Sequence, residues 1–318
     1  MMVVWRRSGR REHRVFCDLP DILSSDNFLV MNNTRVFPAR LRANRPGKKE
    51  TIEILLLREL KAGEWLALLK PASKAPLGQA LQVSSLRAIV SETRESGSRV
   101  LRFDPGCGLM EIFDQIGEPP LPPYIHRKKG KELAQDRDRY QTVYAKRTGS
   151  IAAPTAGLHF TPRIFEQLEA RGIGRCEILL HVGYGTFQPV RCEEIEDHRF
   201  DAEYFEVEEG AARFISRNKT AGHRLVAVGS TTTRVLEHLA ARDFGFDRSE
   251  SGFCDLFIYP GYRFRILDGM LTNFHLPRST LFMLVSAFAG RELMLDCYRN
   301  AISEGYRFFS YGDCMLLL

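Results

Sequence analysis

The sequence predicts an α/β main domain, with a mixed sheet and flanking helices, that carries an inserted small antiparallel β-barrel domain. Short, closely spaced strand-like segments between about residues 51 and 103 indicate the barrel. Alternating strands and helices after about residue 150 indicate the α/β domain. The strings NNTRVFPAR and PPLPPYI lie on either side of the strand-rich block. We therefore expect a discontinuous α/β domain of residues 1–42 and 118–318 and an inserted barrel domain of residues 43–117.

Length and composition fit two folded domains. The chain has 318 residues, of which 44% are hydrophobic and 26% charged, and these values exclude long disorder and a disulfide-stapled miniprotein. Its seven cysteines form no C-x-x-C pair and no Cys/His cluster at zinc spacing, which indicates a reducing compartment and no structural zinc. The most apolar window, residues 281–289, is too short to span a bilayer, and the basic stretch 1–14 lacks the apolar core of a secretory signal. The sequence thus predicts a cytoplasmic protein without a membrane segment.

Charge is unevenly distributed along the chain. The net charge of +6 permits a polyanionic partner. Residues 39–50 and 126–147 are strongly basic, whereas residues 193–209 are acidic. A solvated surface explains any one of these runs equally well, but two basic runs flanking one segment favour a nucleic-acid footprint.

Five or six short, closely spaced strands in this block predict a small antiparallel barrel or sandwich. Turn signals such as Lys61-Ala62-Gly63 separate the strings TIEILLL, EWLALLK, QALQV, RAIVSE and SRVLRF. In the α/β domain, TPRIFEQLEARG predicts a helix with Thr161 as N-cap, Pro162 at its first position and Gly172 at its end. The strings CEILLHV, RLVAVG, DLFIYP and YRFFSYG are predicted as strands, and TTTRVLEHLAAR and RSTLFMLVSAFAG as helices.

The segment 228–234 is the strongest local signal for a ligand site. A predicted strand ends there in a glycine and hydroxyl residues that open a helix, so free backbone N–H groups and the helix dipole favour an anion. A simple helix cap at Ser230 or Thr231 is the plainer alternative. The string VGSTTTR is neither a Walker A loop nor a G-x-G-x-x-G dinucleotide fingerprint.

Three further loops place histidines next to small or polar residues. The loop 153–161 contains His159, the turn 181–187 contains His181, and the segment 271–280 contains His275. Each could transfer protons or donate hydrogen bonds, although one histidine at a strand end is usually structural. Four histidines could also suggest a metal site, but none shows an i,i+4 or H-E-x-x-H spacing, and no G-x-S-x-G elbow indicates a hydrolase triad.

Taken together, these segments resemble the S-adenosylmethionine:tRNA ribosyltransferase-isomerase family, the epoxyqueuosine-forming enzymes of queuosine biosynthesis. The matching strings are NNTRVFPARL, PPLPPYI, YQTVYA, GSIAAPTAGLHFT, LHVGYGTFQPV, VGSTTTRVLE, FIYPGYRF, LTNFHLPRSTLFMLVSAFAG and YRFFSYGD. They occur in one order over nearly the whole chain. The sequence differs from the family in starting after a D-[FY]-x-[FY]-x-L-P-type segment and in having Asp201 where the family has a second His, whereas His198 and Glu203 match.

The resemblance implies transfer of the ribosyl part of S-adenosylmethionine to 7-aminomethyl-7-deazaguanine at the tRNA wobble position. The ribosyl unit becomes an epoxycyclopentanediol, and adenine and methionine leave. Apart from S-adenosylmethionine as co-substrate, the resemblance implies no cofactor and no metal; its partner is the precursor tRNA, and we expect a monomer.

From the loops and the matching strings we predict the following functional residues. The predicted catalytic residues are His159, His275 and His181. The predicted substrate-binding residues are Arg35, Arg40, Tyr124, Thr155, Ala156, Gly157, Gly183, Gly185, Thr186, Phe187, Gly229, Thr231, Thr232, Thr233, Arg234, Tyr259, Thr272, Asn273 and Ser279. The predicted tRNA-binding residues are Arg127, Lys128, Lys129 and Lys131. We expect the loops at 155–159, 181–186, 231–234 and 272–275 to meet in one cleft, because each adjoins the end of a regular element.

Two other classes of function remain open at this point. A non-catalytic RNA-binding protein would use the basic runs with Tyr124, Tyr140 and Tyr144 to neutralise and stack single-stranded RNA. A metal hydrolase would use His159, His181, His198 and His275. Four separate loops of Gly, His, Thr and Asn exceed what a binding module requires, so the enzyme is preferred.

Overall fold

The structure, a computed structural model, describes residues 1–94, 97–104, 108–122, 125, 133–183, 194–198 and 201–318. It contains two compact units. The first unit consists of residues 1–34, 142–147 and 153–318, and the second of residues 35–141 and 148–152. The boundaries expected after residues 42 and 117 fall inside the second unit, and the domain limits stay a prediction.

The elements follow one another along the chain as strands with interspersed helices. The strands are β1 (Met2–Trp5), β2 (Arg10–His13), β3 (Asn27–Asn32), β4 (Thr34–Val36), β5 (Arg40–Asn44), β6 (Thr51–Lys61), β7 (Glu64–Lys70), β8 (Ala80–Val83), β9 (Leu86–Thr93), β10 (Arg99–Phe103), β11 (Arg147–Ser150), β12 (Gly174–Leu180), β13 (Glu203–Val207), β14 (Arg224–Val228), β15 (Glu250–Cys254), β16 (Gly269–Asn273) and β17 (Cys314–Leu317). The α-helices are α1 (Leu19–Ile22), α2 (Leu109–Ile116), α3 (Leu133–Arg139), α4 (Pro162–Ala170), α5 (Glu209–Thr220), α6 (Ser230–Ala241), α7 (Thr280–Ala289) and α8 (Arg291–Ser303).

A nine-stranded mixed sheet forms the centre of the first unit. Its order is β15-β13-β12-β3-β14-β16-β17-β1-β2, and β12, β3, β14 and β16 are mutually parallel. These four strands end at one edge, here called the carboxyl edge, with Leu180, Asn32, Val228 and Asn273. They begin at the opposite edge, here called the amino edge, with Gly174, Asn27, Arg224 and Gly269.

Helices pack on both faces of this sheet because successive strand residues point to opposite sides. Leu29 and Met31 of β3 lie in a core with α1 and α4, whereas Phe28 packs edge-on against Phe214 of α5 with ring centroids 5.8 Å apart. The α/β part of the fold prediction is therefore confirmed.

Helix α4 begins and ends where the sequence predicts. The Thr161 hydroxyl accepts a hydrogen bond from the Ile164 N–H, and Pro162 occupies the first turn. Gly172 follows the helix with φ of +71°, a conformation that favours glycine.

The second unit contains a closed barrel of strand order β10-β7-β6-β5-β8-β9, all antiparallel. Alternate residues of β7, such as Trp65 and Ala67, are buried. Trp65 packs edge-on against Phe113 of α2, and Phe113 packs against Phe103 of β10, with ring centroids 5.5 and 5.2 Å apart. The five predicted strands and the antiparallel barrel are confirmed. A separate two-stranded sheet pairs β4 with β11.

Two predicted strands are wrong. DLFIYP is irregular after β15, and the Arg234 guanidinium binds its backbone instead, donating to the Leu256 carbonyl oxygen at 2.9 Å. YRFFSYG is a turn, in which Phe309 has φ of +73° and the Asn273 amide donates to its carbonyl oxygen at 3.0 Å. In both segments buried side chains satisfy the backbone polar groups that a neighbouring strand would otherwise bind.

Candidate functional site

The turn from β14 into α6 presents backbone donors at the carboxyl edge. Gly229, with φ of +90°, is the N-cap, and no side chain caps the helix. The hydroxyls of Thr232 and Thr233 donate back to the carbonyl oxygens of Val228 and Gly229 at 2.8 and 3.1 Å. Within the described part of the chain, the N–H groups of residues 230–232 have no hydrogen-bond partner. These N–H groups and the helix dipole suit an anion.

Asn32 joins three elements of this edge. Its side-chain amide donates to the Leu180 carbonyl oxygen at 2.9 Å and to the Thr231 hydroxyl at 3.3 Å. Its side-chain oxygen accepts from the N–H groups of Leu180 and Thr34, both at 3.1 Å. All four polar contacts are buried, so Asn32 fixes the end of β12 relative to the start of α6.

His181 follows β12 and is held by a hydroxyl. Thr34 Oγ1 lies 2.9 Å from His181 Nδ1, and the imidazole stacks on Tyr204 with centroids 6.0 Å apart. Burial and the nearby Arg147 lower the pKa of His181 to about 4. Its imidazole is therefore neutral at pH 7.

A buried ion pair contacts the backbone at Gly183, two residues after His181. Glu203 of β13 and Arg234 of α6 are each 3% exposed and form an ion pair. The other Glu203 oxygen accepts from the Gly183 N–H at 2.7 Å. Arg234 thus engages Glu203 and two carbonyl groups, and it positions the strand ends around the helix start.

The 3-10 turn Thr155–His159 lies against the α6 start. A Cβ at Gly229 would lie 3.8 Å from the Ala156 Cβ. A Cβ at Gly157 would lie 2.0 Å from the Tyr144 hydroxyl, so only glycine fits at position 157 with Tyr144 in this place. The close packing brings the backbone of this turn to the carboxyl edge.

His159, at the end of this turn, has a buried nitrogen with an open hydrogen-bonding site. The imidazole stacks on Phe16 with centroids 5.1 Å apart. Its Nε2 atom is buried and has no hydrogen-bond partner among the described residues. Burial lowers the pKa of His159, and the neighbouring Asn273 side chain partly opposes this shift.

The segment after β16 supplies the third histidine. Thr272 Oγ1 lies 2.8 Å from His275 Nε2, and the Tyr298 hydroxyl accepts from the His275 N–H at 2.9 Å. Burial lowers the pKa of His275 to about 4. Asn273 Oδ1 is buried and, within the described ranges, without a hydrogen-bond partner.

The carboxyl edge thus combines neutral imidazoles, unpaired polar atoms and helix N–H groups. Neutral imidazoles can accept protons, and the unpaired buried atoms of His159 and Asn273 suit a polar ligand, since unpaired buried polar groups are costly. No group of three or more His, Cys, Asp or Glu side chains in the described part could hold a metal ion. No described helix is long and apolar enough to cross a membrane.

All but two of the predicted site residues fall into three groups. Those at or beside the carboxyl edge are Thr155, Ala156, Gly157, His159, His181, Gly183, Gly229, Thr231, Thr232, Thr233, Arg234, Thr272, Asn273 and His275. Arg35 and Arg40 belong to the second unit. Outside the described residues lie Tyr124, Arg127, Lys128, Lys129, Lys131, Gly185, Thr186 and Phe187.

Two remaining predicted residues have clear local contacts. Ser279 caps α7 by accepting from the Phe282 N–H at 3.2 Å. Tyr259 is half-buried and packs against Phe257 with ring centroids 5.3 Å apart.

Sequence reasoning missed Asn32, Thr34 and Phe16. The pair Asn32-Asn33 before Thr34 does interrupt an apolar run, and polar residues directly after a buried strand could have indicated Asn32. Phe16 lies far from His159 in sequence, and no periodic pattern links them. Glu203 was noted only as a match to the family string.

Comparisons with known proteins agree on one family. The family model described as queuosine biosynthesis protein matches residues 1–317. A relative named S-adenosylmethionine:tRNA ribosyltransferase-isomerase from Desulfitobacterium hafniense is 48% identical over 320 residues, covering 100% of this chain and 92% of that protein. One of the same name from Moorella thermoacetica is 50% identical over 321 residues, with the same 100% and 92% coverage.

A solved structure is also similar to this chain. The crystal structure of an S-adenosylmethionine tRNA ribosyltransferase from Thermotoga maritima is 34% identical, with a TM-score of 0.54. The match covers 100% of this chain and 91% of that chain.

Proposed function

The chain belongs to the queuosine biosynthesis protein family as a transferase-isomerase, and on that premise we propose the reaction it performs. It transfers the ribosyl part of S-adenosylmethionine to the aminomethyl group of 7-aminomethyl-7-deazaguanine at the tRNA wobble position. The ribosyl unit isomerises to the epoxycyclopentanediol of epoxyqueuosine, and adenine and methionine are released. The observation that carries this proposal is the set of neutral imidazoles beside a helix start at the carboxyl edge.

The imidazoles supply proton transfer. The sulfonium of S-adenosylmethionine acidifies the adjacent ribose C–H, so a neutral base within hydrogen-bond reach removes that proton. Departing adenine then takes up a proton, and a ribosyl oxygen displaces the methionine thioether. His159 and His275 are our candidates for these transfers, and His181 is the third. Their lowered pKa values keep them in the accepting form at pH 7.

The start of α6 binds the methionine carboxylate or a tRNA phosphate through the N–H groups of residues 230–232. Arg234 serves as a positioning residue in this proposal, because its guanidinium is engaged by Glu203 and by carbonyl oxygens. Asn32 is also a positioning residue, because its side-chain amide donates a hydrogen bond to the Thr231 hydroxyl at the start of α6.

Hydroxyl groups of the substrate ribosyl unit form hydrogen bonds with two buried, unpaired atoms beside the turn at residues 155–159. His159 Nε2 and Asn273 Oδ1 are both buried, so a hydroxyl placed there would satisfy them. Thr155, Gly157, Gly183 and Thr272 line the approach to these atoms in this proposal.

We assign tRNA contacts to the basic run at Arg127, Lys128, Lys129 and Lys131, since phosphate neutralisation needs clustered cations. On the strength of the family strings, we also propose substrate contacts for Arg35, Arg40, Tyr124, Gly185, Thr186, Phe187, Tyr259 and Ser279. A tRNA substrate supports a cytoplasmic location, and we propose that the enzyme acts as a monomer.

The proposal is tested by incubating the protein with labelled S-adenosylmethionine and tRNA that carries the precursor base. We expect free adenine and a modified nucleoside in equal amounts. Tight tRNA binding without adenine release would indicate the non-catalytic RNA-binding alternative. Adenine release that stops when bound metal is stripped and resumes when it is restored would indicate metal chemistry instead.

A further inference from the structure

A cavity of about 510 Å³ lies in the first unit at the amino edge of the sheet. Asn27, Arg224 and Gly269, the first residues of β3, β14 and β16, line it together with the turn between β1 and β2. A six-residue strand spans about 16 Å, so this amino-edge cavity is separated from the carboxyl edge by roughly that length. Its volume lies within the usual range for small-ligand pockets, about 300–1,000 Å³.

Arginines dominate the lining of the cavity. Arg6, Arg7, Arg10 and Arg224 contribute to it, with Asp268 as the acidic residue of the set. Asp268 is already engaged, since Oδ2 lies 2.6 Å from the Lys219 ammonium and accepts from the Leu225 N–H at 2.7 Å. The charge of the cavity is therefore positive.

Two of the arginines are free to bind a ligand. Arg10 pairs with Glu12, but in the described part of the chain Arg7 and Arg224 have no carboxylate within ion-pair distance. Both are exposed. A guanidinium presents several donors in a planar fork that matches phosphate oxygens.

Arg6 lies at the inner wall, in a setting that favours an added anion. Its guanidinium lies 4.2 Å from the Phe288 ring centroid, and its hydrogen bonds to the Phe288 and Asp268 carbonyl oxygens are long, at 3.4 and 3.5 Å. Its Nε atom is buried and has no partner among the described residues. Burial and the neighbouring positive charge of Arg7 lower the pKa of Arg6.

Trp5 adds an aromatic wall to the cavity. The side chain is half-buried, and the Arg10 guanidinium lies 4.6 Å from its ring centroid. An aromatic face beside several cations suits a ligand that carries both a base and a phosphate.

We propose that the amino-edge cavity binds a phosphate group, with Arg7 and Arg224 as its main contacts. The phosphate is carried either by an RNA backbone or by a small nucleotide, and both share this chemistry. The site does not depend on the proposed reaction, because it lies at the opposite edge from His159, His181 and His275.

The test measures binding of three probes, namely inorganic phosphate, AMP and an unmodified tRNA transcript. The variant Arg7→Ala/Arg224→Ala removes the free cations, and Arg163→Ala/Arg299→Ala is the matched control, since both of its arginines are exposed helix residues of the same unit. Trp5 reports on the cavity by fluorescence in a Trp65→Phe background, because the chain has only two tryptophans.

We expect the cavity variant to weaken binding of at least one probe tenfold or more, and the control less than twofold. If tRNA binding is the one affected, the slope of log K for tRNA against log salt concentration should become shallower by about 1.5 to 2, because two phosphate contacts are lost. That result would identify the ligand as RNA. If only AMP or inorganic phosphate is affected, the ligand is a small phosphate compound. Equal binding by both double variants for all probes, or no binding of any probe, would overturn the proposal.

Adenine release separates this result from the proposed reaction. We expect the cavity variant to keep its turnover rate at saturating substrates, with a raised KM for tRNA if RNA is the ligand. A wild-type protein that releases no adenine, yet binds phosphate through Arg7 and Arg224, would refute the reaction and leave the cavity assignment standing.

Discussion

The two edges of the central sheet differ in how their charged and polar groups are held. At the carboxyl edge, Asn32, Glu203 and Arg234 are buried. Asn32 binds Thr231 of α6, Glu203 forms an ion pair with Arg234 of the same helix, and burial lowers the pKa of each of the three histidines there. At the amino edge, Arg7 and Arg224 are exposed and unpaired within the described residues. We therefore propose a site for proton transfer at one end of the sheet and a site for a phosphate at the other.

The difference has a simple physical cause. Burial favours the uncharged form of an imidazole, so a histidine enclosed by strand ends can accept a proton at pH 7. Arg7 and Arg224 remain charged because they are exposed, and without an ion-pair partner among the described residues they can bind a phosphate with no carboxylate to displace. Changes at the carboxyl edge should therefore alter stability and rate, whereas changes at the amino edge should alter binding alone.

The largest expected effect on stability comes from Glu203→Gln. This change removes the charge that Glu203 places against the buried Arg234 guanidinium, and breaking a buried ion pair in this way costs roughly 3–5 kcal/mol of unfolding free energy. Urea denaturation followed by circular dichroism measures the loss.

The matched control for that experiment is Glu206→Gln on the same strand. Glu206 pairs at the surface with Arg147 at 3.0 Å, and the expected loss is about 0–1 kcal/mol. Arg7→Ala/Arg224→Ala should also stay within about 1 kcal/mol of wild type, because exposed substitutions of this kind have small effects. Similar losses in all three variants would remove the contrast between the two edges.

A smaller effect concerns the pH dependence of stability. The folded protein holds the pKa of His181 and of His275 near 4, below the value of 6.5 that the unfolded chain regains. The unfolded chain therefore binds more protons between these values, so this contribution to stability is complete above pH 6.5 and is lost as the pH falls toward 4. Each histidine contributes up to about 1.4 kcal/mol per pH unit.

Urea unfolding from pH 7 to pH 4.5 measures this slope. His181→Gln should flatten the slope relative to wild type, because glutamine does not titrate, whereas Arg7→Ala/Arg224→Ala should leave it unchanged. An identical slope in wild type and His181→Gln would show that the imidazole is not kept neutral by the fold.

Local sequence signals predicted much of the fold, since they act within a few residues. The Thr161 cap, Pro162 and Gly172 define α4 by themselves, and alternation together with turn residues identifies the barrel strands. The strands predicted at DLFIYP and YRFFSYG failed because contacts distant in sequence hold these segments. Arg234 binds the first segment and Asn273 the second.

The candidate site was predictable as a set of loops but not as a network. Gly229 and the threonines after it indicated the α6 start, and the histidines adjoin strand or helix ends. The contacts from Asn32 to Thr231 and from Phe16 to His159 depend on which strands are neighbours. Strand order is a property of the whole sheet, and it cannot be read from residue spacing.

We propose that the carboxyl-edge histidines transfer protons during the reaction. Adenine release at saturating S-adenosylmethionine and precursor tRNA tests it, with His159→Ala and His275→Ala compared with His223→Ala. His223 is the matched control, because it lies next to the amino edge and is hydrogen-bonded to Asn218 at 2.9 Å. We expect turnover to fall by roughly a hundredfold or more in each of the first two variants, with an unchanged circular dichroism spectrum, and to stay near wild type in the control. Glutamine at 159 or 275 can donate a hydrogen bond without titrating, so it should restore little activity. Wild-type turnover in both His159→Ala and His275→Ala would contradict the claim.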